Sequence, residues 1–421
     1  MLAFASGCSG TGDGASDEAF EPTSTELGPE VSVTTGTRKV MLIVMNDCAT
    51  CSLAQTPSAF NTKFAGPATP NVLDYYNVVS GGRFRFTGVP FGQVVNPRTA
   101  AFDTRAGVSS GQSAQEQAIR RAVLAMGDSL RSIGFSFYQY DSNGDGVVTT
   151  NELTLVVISN AVQGGKTIPL GGLGCVNQAD GMQVCSSASY SGDREAMINV
   201  AHELGHTLGG YDIYGNWKSG VCHSKRASVM SCTGSTDEWY NFDPWHRRKL
   251  GWVSPGAWIV PEPGVTAGTV RLWTPRNAAA FSNVREILSV QNPANPKETI
   301  DLERRSRSDN YDQNTVHSGV IAWYTLEHSN GLQLRQLPSL ASNADGGDNG
   351  HFRLAPVNCV GSPLDPLSRG KANPLKPGST YRFKWRDGTD TGWLFTIGSD
   401  SGASTEVSIS KNAAAPSCSN P

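Results

Sequence analysis

No stretch of the 421 residues offers the roughly 20 consecutive apolar side chains that a helix needs to cross a bilayer. Attachment to a membrane would have to come by another route. Basic clusters are lacking too. The chain carries 34 Lys and Arg against 37 Asp and Glu, a net charge of −3, and no block of them could neutralise a run of phosphates. Nucleic acid is therefore not expected as a partner. Charged side chains are scarce, at 17% of the chain, while glycine contributes 46 residues and proline 23. That balance favours a loop-rich, strand-rich fold of the kind common outside cells. No internal repeat is evident.

At 421 residues the chain is too long for one small core and divides most naturally into two packed units plus tails. Its nine cysteines sharpen the picture. Apart from Cys8 they fall as Cys48 with Cys51, Cys175 with Cys185, and Cys222 with Cys232, followed by Cys359 and Cys418. An even set suggests bridges and an oxidising compartment, although spacing does not fix connectivity. Cys48-Ala49-Thr50-Cys51 also has the form of a redox pair. No thioredoxin-like βαβ pattern surrounds it, so a structural bridge is expected. The start, Met1 to Cys8, resembles a bacterial lipoprotein cleavage box, with Ala5 where such boxes usually carry leucine. The expectation is a secreted or cell-surface protein of a bacterium, with lipid attached, if at all, at Cys8. Residues 1–37 read as an export-signal remnant and flexible tether.

Folded structure is expected from residue 38. Lys39 to Met45 is a continuous apolar run suited to a buried strand, and Gly82 to Gly88 alternates like a half-buried one. A helix is predicted over Ser113 to Ser132, with Ala118, Ala122, Val123, Ala125 and Met126 as its apolar stripe. Glu152 to Ser159 reads as another central strand. A further helix is expected to start near Ser191 to Arg194, capped by Asp193 or Ser191, with Ala196, Met197, Val200, Ala201, Leu204 and Leu208 buried and Gly209-Gly210 at its end. From about Pro255 the pattern changes to short strands at Val284 to Val290, Gly319 to Tyr324, Tyr381 to Trp385, Trp393 to Ile397 and Thr405 to Ser410. The predicted organisation is an α/β (α+β) domain over 38–254 and an all-β sandwich over 255–421, expected to be monomeric.

The chemistry concentrates in His202-Glu203-Leu204-Gly205-His206-Thr207-Leu208-Gly209-Gly210-Tyr211-Asp212. Residues four apart on a helix lie one above the other, roughly 6 Å along the axis, so His202 and His206 can share one ion. A catalytic zinc needs three protein ligands and an open position for water. His202 and His206 supply two nitrogens, and Asp212, after the turn that Gly209 permits, supplies an oxygen. Glu203 is placed as the base that takes a proton from water, the sequence logic of a peptidase helix. Ser228-Val229-Met230-Ser231-Cys232 could form a methionine turn beneath the metal, with core packing as the ordinary alternative for Met230. His223 and Glu238 are rival third ligands. Tyr211, Tyr214 and Tyr240 could support an oxyanion, Tyr214 foremost, or simply pack.

These motifs resemble the immune inhibitor A family of secreted bacterial zinc metallopeptidases, relatives of the metzincins with aspartate in place of the third histidine. The resemblance extends to Ser228 to Cys232, to Phe242-Asp243-Pro244-Trp245-His246-Arg247-Arg248-Lys249-Leu250-Gly251-Trp252, to Leu302-Glu303-Arg304-Arg305 and to Gly319-Val320-Ile321-Ala322-Trp323. It implies a metzincin-like fold, zinc on His202, His206 and Asp212, Glu203 as catalytic base, and protein or peptide substrates. Gly210-Tyr211 departs from the Leu-Pro common before that aspartate. The rival from another class is a surface adhesion or carbohydrate-binding protein with a structural metal.

A second metal pattern lies upstream. Asp141-Ser142-Asn143-Gly144-Asp145-Gly146-Val147-Val148-Thr149-Thr150-Asn151-Glu152 matches a calcium loop, with Asp141, Asn143, Asp145, the Val147 carbonyl, Thr149 and Glu152 as donors. A strand rather than a second helix is expected to follow. An isolated structural calcium site is therefore predicted, with a metal-free acidic turn as the alternative.

Overall fold

The computed structural model describes residues 34–97, 99–131, 134–210, 228–231, 238–253, 258–259, 265–275, 285–309, 311–312, 318–327, 352–356, 375, 377–385 and 389–411. Contacts divide the chain into two units, one of residues 1–77, 83–211 and 234–237, the other of 78–82, 212–233 and 238–421. The fold is mixed α/β and rich in strands, with few helices.

In chain order the first half contains β1 (Gly36–Asn46), α1 (Pro57–Ala65), α2 (Val72–Val79), β2 (Phe84–Gly88), β3 (Gly92–Val95), α3 (Ala100–Ala106) and α4 (Ala114–Leu130). Then come β4 (Val147–Val148), β5 (Thr154–Ser159), β6 (Gly165–Pro169), α5 (Leu170–Leu173), β7 (Val176–Asn177), β8 (Gln183–Val184), β9 (Ser187–Gly192) and α6 (Met197–His206). The main sheet runs β2-β1-β5-β9-β6, and β3 shares an edge of β1 with β2. Its pairings are parallel except the last, where β6 lies antiparallel to β9 at the edge.

The central strands explain their own sequences. Val40 to Met45 and Thr154 to Ser159 are buried on both faces, which demands the unbroken apolar runs seen there. Met41, Ile43 and Met45 face α4 and join Ala118, Ala122, Val123 and Met126 in one core. The Ser113 side chain caps α4 by accepting from the Glu116 N–H at 3.3 Å. α6 packs on the opposite face: Ile168 of β6 belongs to the α4-side core, while its neighbour Thr167 reaches Glu203.

α6 starts later than its sequence suggests. Ser187–Gly192 is strand β9, the helix begins at Met197, and its N-cap is Ala196, which makes no side-chain cap bond. Asp193 does not cap, because its carboxylate accepts from the Ala54 N–H at 2.6 Å and the Gln163 amide at 2.9 Å. The expected buried face is present, from Ala196 to Leu208.

The second unit contains α7 (Pro244–Lys249), β10 (Trp258–Ile259), β11 (Ala267–Trp273), β12 (Ile287–Asn292), β13 (Asn295–Arg305), β14 (Gly319–Glu327), β15 (Phe352–Pro356), β16 (Thr380–Lys384), β17 (Asp390–Asp400) and β18 (Ser404–Lys411). Two sheets form, β10-β12-β13-β14-β15 and β11-β18-β17-β16. Leu288, Val290, Ile300 and Leu302 of the first share a core with Phe395, Ile397, Val407 and Ile409 of the second. α7 is bound to the first sheet through charge: Arg247 donates to Glu286, and Arg248 donates to Asp301 at 2.6 Å. Beside them Arg305 donates to Glu303 and Asp312, each at 2.7 Å, and to the Phe242 carbonyl at 2.7 Å.

Candidate metal centre

α6 brings two imidazoles to one spot. The Nε2 atoms of His202 and His206 are 3.2 Å apart, with their rings nearly perpendicular at 85°. Two nitrogens bound to one zinc at about 2.0–2.1 Å in tetrahedral geometry stand about 3.3 Å apart. The spacing therefore fits a shared ion. His202 is buried, at 3% exposure, and His206 is half-buried.

The end of the helix fixes the orientation of His206. Gly209 takes φ 87°, a left-handed conformation that side chains resist, and the chain reverses there. The Gly210 N–H then donates back to Gly205 O at 3.0 Å, and the Gly210 carbonyl lies 2.8 Å from His206 Nδ1. A carbonyl can only accept, so Nδ1 carries the proton and the Nε2 lone pair is directed at the shared site. Sequence reasoning gave Gly209 the task of returning Asp212; among the described residues the turn returns a carbonyl to a histidine.

Glu203 sits beside this pair, 8% exposed. Its Oε2 accepts from the Thr167 hydroxyl of β6 at 2.8 Å, and the same hydroxyl lies 2.6 Å from the Glu203 carbonyl. Gly165, two residues along the strand, packs so close that an added Cβ would stand 2.4 Å from Glu203 Oε1. Two side chains bond the helix backbone: Tyr76 donates its hydroxyl to Ala201 O, and Arg38 donates to Thr207 O at 3.2 Å. Burial, then the Glu203 charge, push the Tyr76 phenol well above its ordinary range, against the pull of Arg38. Burial lowers Arg38 to about 10, opposed by Tyr76, so it remains a cation at neutral pH beside the carbonyl end of the helix.

Asp212, the expected third ligand, lies outside the described residues, as do Tyr211, Tyr214 and His223. Among the described residues no three His, Cys, Asp or Glu side chains converge on a metal position. Glu238 accepts from the Tyr240 hydroxyl in the second unit. Met230 is fully buried in a turn, where the Ser231 N–H donates to Ser228 O at 3.1 Å and the Met230 N–H to Ser228 Oγ at 3.2 Å. The Ser228 hydroxyl donates onward to Asp243 at 2.7 Å. The spacing of the two imidazoles, and the Nδ1–carbonyl contact of His206, fit a shared zinc-class ion.

The 141–152 loop has the turn its sequence implies. Gly146, at the sixth position, has φ 82°. Asp141 accepts from the N–H groups of Gly144, Asp145 and Gly146 at 2.8, 3.3 and 2.9 Å, and Asp145 from Val147 at 2.8 Å. Asn143 accepts from the Asp145 N–H at 3.1 Å. Glu152 closes the loop on Ser142 and Thr149 at 2.7 to 3.0 Å. Burial alone would raise the Glu152 carboxyl, but those bonds outweigh it and hold the group below its usual range. Strand β5 follows rather than a helix.

Two of the cysteine pairs, Cys48 with Cys51 and Cys175 with Cys185, are joined as disulfides. Cys8, Cys222, Cys232, Cys359 and Cys418 lie outside the described residues. Sequence reasoning missed Gly165, Thr167, Tyr76 and Arg38. The strand Gly165–Pro169 carries turn-formers at both ends and only one large aliphatic residue, so nothing in it points towards a helix 36 residues away. No family model matches this chain, and no curated protein matches it at a significant level.

Proposed function

We propose that the chain is a secreted or surface-anchored bacterial zinc endopeptidase of the immune inhibitor A type, with a metzincin-like catalytic domain and a β-sandwich. The observation that carries the reading is the His202–His206 pair, with Nε2 atoms 3.2 Å apart and Glu203 next to them on the same helix. His202 and His206 would hold zinc through Nε2, and Asp212 would complete the set. When bound, the ion supplies Lewis acidity to a peptide carbonyl and to a water molecule. Glu203 takes a proton from the attacking water and hands it to the departing amine. The antiparallel edge strand β6 lies next to Glu203, and an edge offers backbone donors and acceptors along which an extended peptide can add. The 141–152 loop is proposed as a structural calcium site.

Glu203→Gln keeps the side-chain shape and removes the proton acceptor. Casein cleavage should fall about 100-fold or more in this variant, and a zinc chelator should stop the parent protein. Cleavage that survives either treatment contradicts the proposal.

A further inference from the structure

We infer that Thr167 and Gly165 of the edge strand are the positioning residues of the Glu203 carboxyl group, an inference that rests on the peptidase reading above. The two stand two residues apart on β6 and so share the face turned to α6. Thr167 acts through its hydroxyl, which is 2.8 Å from Oε2 and 2.6 Å from the backbone carbonyl of the same glutamate. That double reach ties the head of the side chain to its own backbone. The last turn of the helix is suited to this arrangement, because the Thr207 N–H goes to Leu204 O at 3.1 Å, one residue later than a regular helical bond from Thr207 would reach. The one hydroxyl proton of Thr167 is shared between Glu203 O and Oε2.

Gly165 acts by what it lacks. A Cβ there would stand 2.4 Å from Oε1, closer than atoms pack, and 3.0 Å from both Cγ and Cδ, tighter than most real contacts. The obstruction would fall on three successive atoms of the glutamate, so rotating the carboxyl group about its last bond would not relieve it. Any side chain at 165 moves the whole acid group. One residue therefore holds the carboxyl in place and the other leaves the room it occupies. Reaction rate is sensitive to such placement, since a misplacement of about 1 Å costs on the order of 100-fold. Neither residue reaches the histidine pair through a hydrogen bond given above, so zinc affinity should be insensitive to both.

The test compares Thr167→Val, Thr167→Ser and Gly165→Ala with the parent. Three quantities are read: kcat and KM on a fluorogenic peptide cleaved by the parent, and zinc affinity by competition with a chromogenic chelator. Valine keeps the branched shape and the strand pairing with Ser189 while deleting the hydroxyl. The expected result is a fall in kcat of about 10- to 100-fold in Thr167→Val and Gly165→Ala. KM and zinc affinity should stay within about twofold, and Thr167→Ser should recover more than about a third of parental kcat. Parental kcat in Thr167→Val, a serine variant as impaired as valine, or zinc affinity falling in step with kcat overturns the inference. Should Thr167→Val fail to fold, Gly165→Ala decides, and a parental kcat there overturns it. Glu203→Gln runs in parallel: undiminished cleavage in that variant removes the peptidase reading itself, whereas an inactive Glu203→Gln beside an unimpaired Thr167→Val removes only the positioning role.

Discussion

Tyr76 and Arg38 hold α6 through its backbone carbonyls, and their sequence neighbours give no hint of it. Tyr76 is fully buried, and its hydroxyl donates to Ala201 O, one residue before His202. Replacing it with phenylalanine keeps the ring and leaves a buried carbonyl short of this donor. A loss of about 1–2 kcal/mol is expected in urea unfolding monitored by circular dichroism. Unchanged stability would show that the bond contributes nothing net. At this scale the sequence was readable where chemistry is local. His202, Glu203 and His206 lie within a single turn and a half of helix, so spacing alone places them on adjoining positions. Thr167, Gly165, Arg38 and Tyr76 come from three other elements, and nothing in a helix names its tertiary neighbours.

Elements were legible in proportion to their burial pattern. β1 and β5 announce themselves because strands covered on both faces must be apolar throughout, and α4 because its cap and stripe agree. β9 is the instructive miss. Ser187–Gly192 reads Ser-Ala-Ser-Tyr-Ser-Gly, almost without large apolar side chains, yet it is buried from Ala188 onward in the middle of the sheet. Its small residues let α6 approach, and they read as the lead-in to a helix. The 141–152 loop shows the other side: its glycine, aspartates and closing glutamate gave the turn correctly because the pattern encodes backbone geometry. As a calcium site it makes a prediction. Millimolar calcium should raise the melting temperature of the parent by at least about 3 °C and leave Asp141→Asn unmoved, read by differential scanning calorimetry. No rise in the parent would identify a metal-free acidic turn.

Across the whole molecule the most unusual feature is buried charge in the second unit. Arg247 and Arg305 face Glu286, Glu303 and Asp312, two cations against three carboxylates. Burial raises Asp312 to about 7; Arg305 pulls it down, and the charges of Asp309 and Glu303 add to the rise. The folded group thus binds its proton more tightly than the unfolded one, so its stabilising contribution is complete below about pH 4 and disappears as pH climbs through about 7. Asp103, Asp180, Glu152 and Asp243 are held below their ordinary range, so their contributions stay intact through that window. Between pH 5 and 8 the second unit should lose stability as pH rises, and Asp312→Asn should flatten the trend in denaturant titrations. A parent with no such slope would contradict the assignment. None of this was legible beforehand, because nothing in the Leu302 to Arg305 run names the sheet that buries it or the acids it meets there.

The central claim is a zinc ion held by His202 and His206 beside Glu203. Its most direct test is metal analysis of the protein as purified from zinc-replete medium, compared with His202→Ala and His206→Ala. One zinc per chain in the parent and a loss of at least about tenfold in affinity in each variant is the predicted result. A parent without zinc, or variants that retain it at parental affinity, would contradict the account.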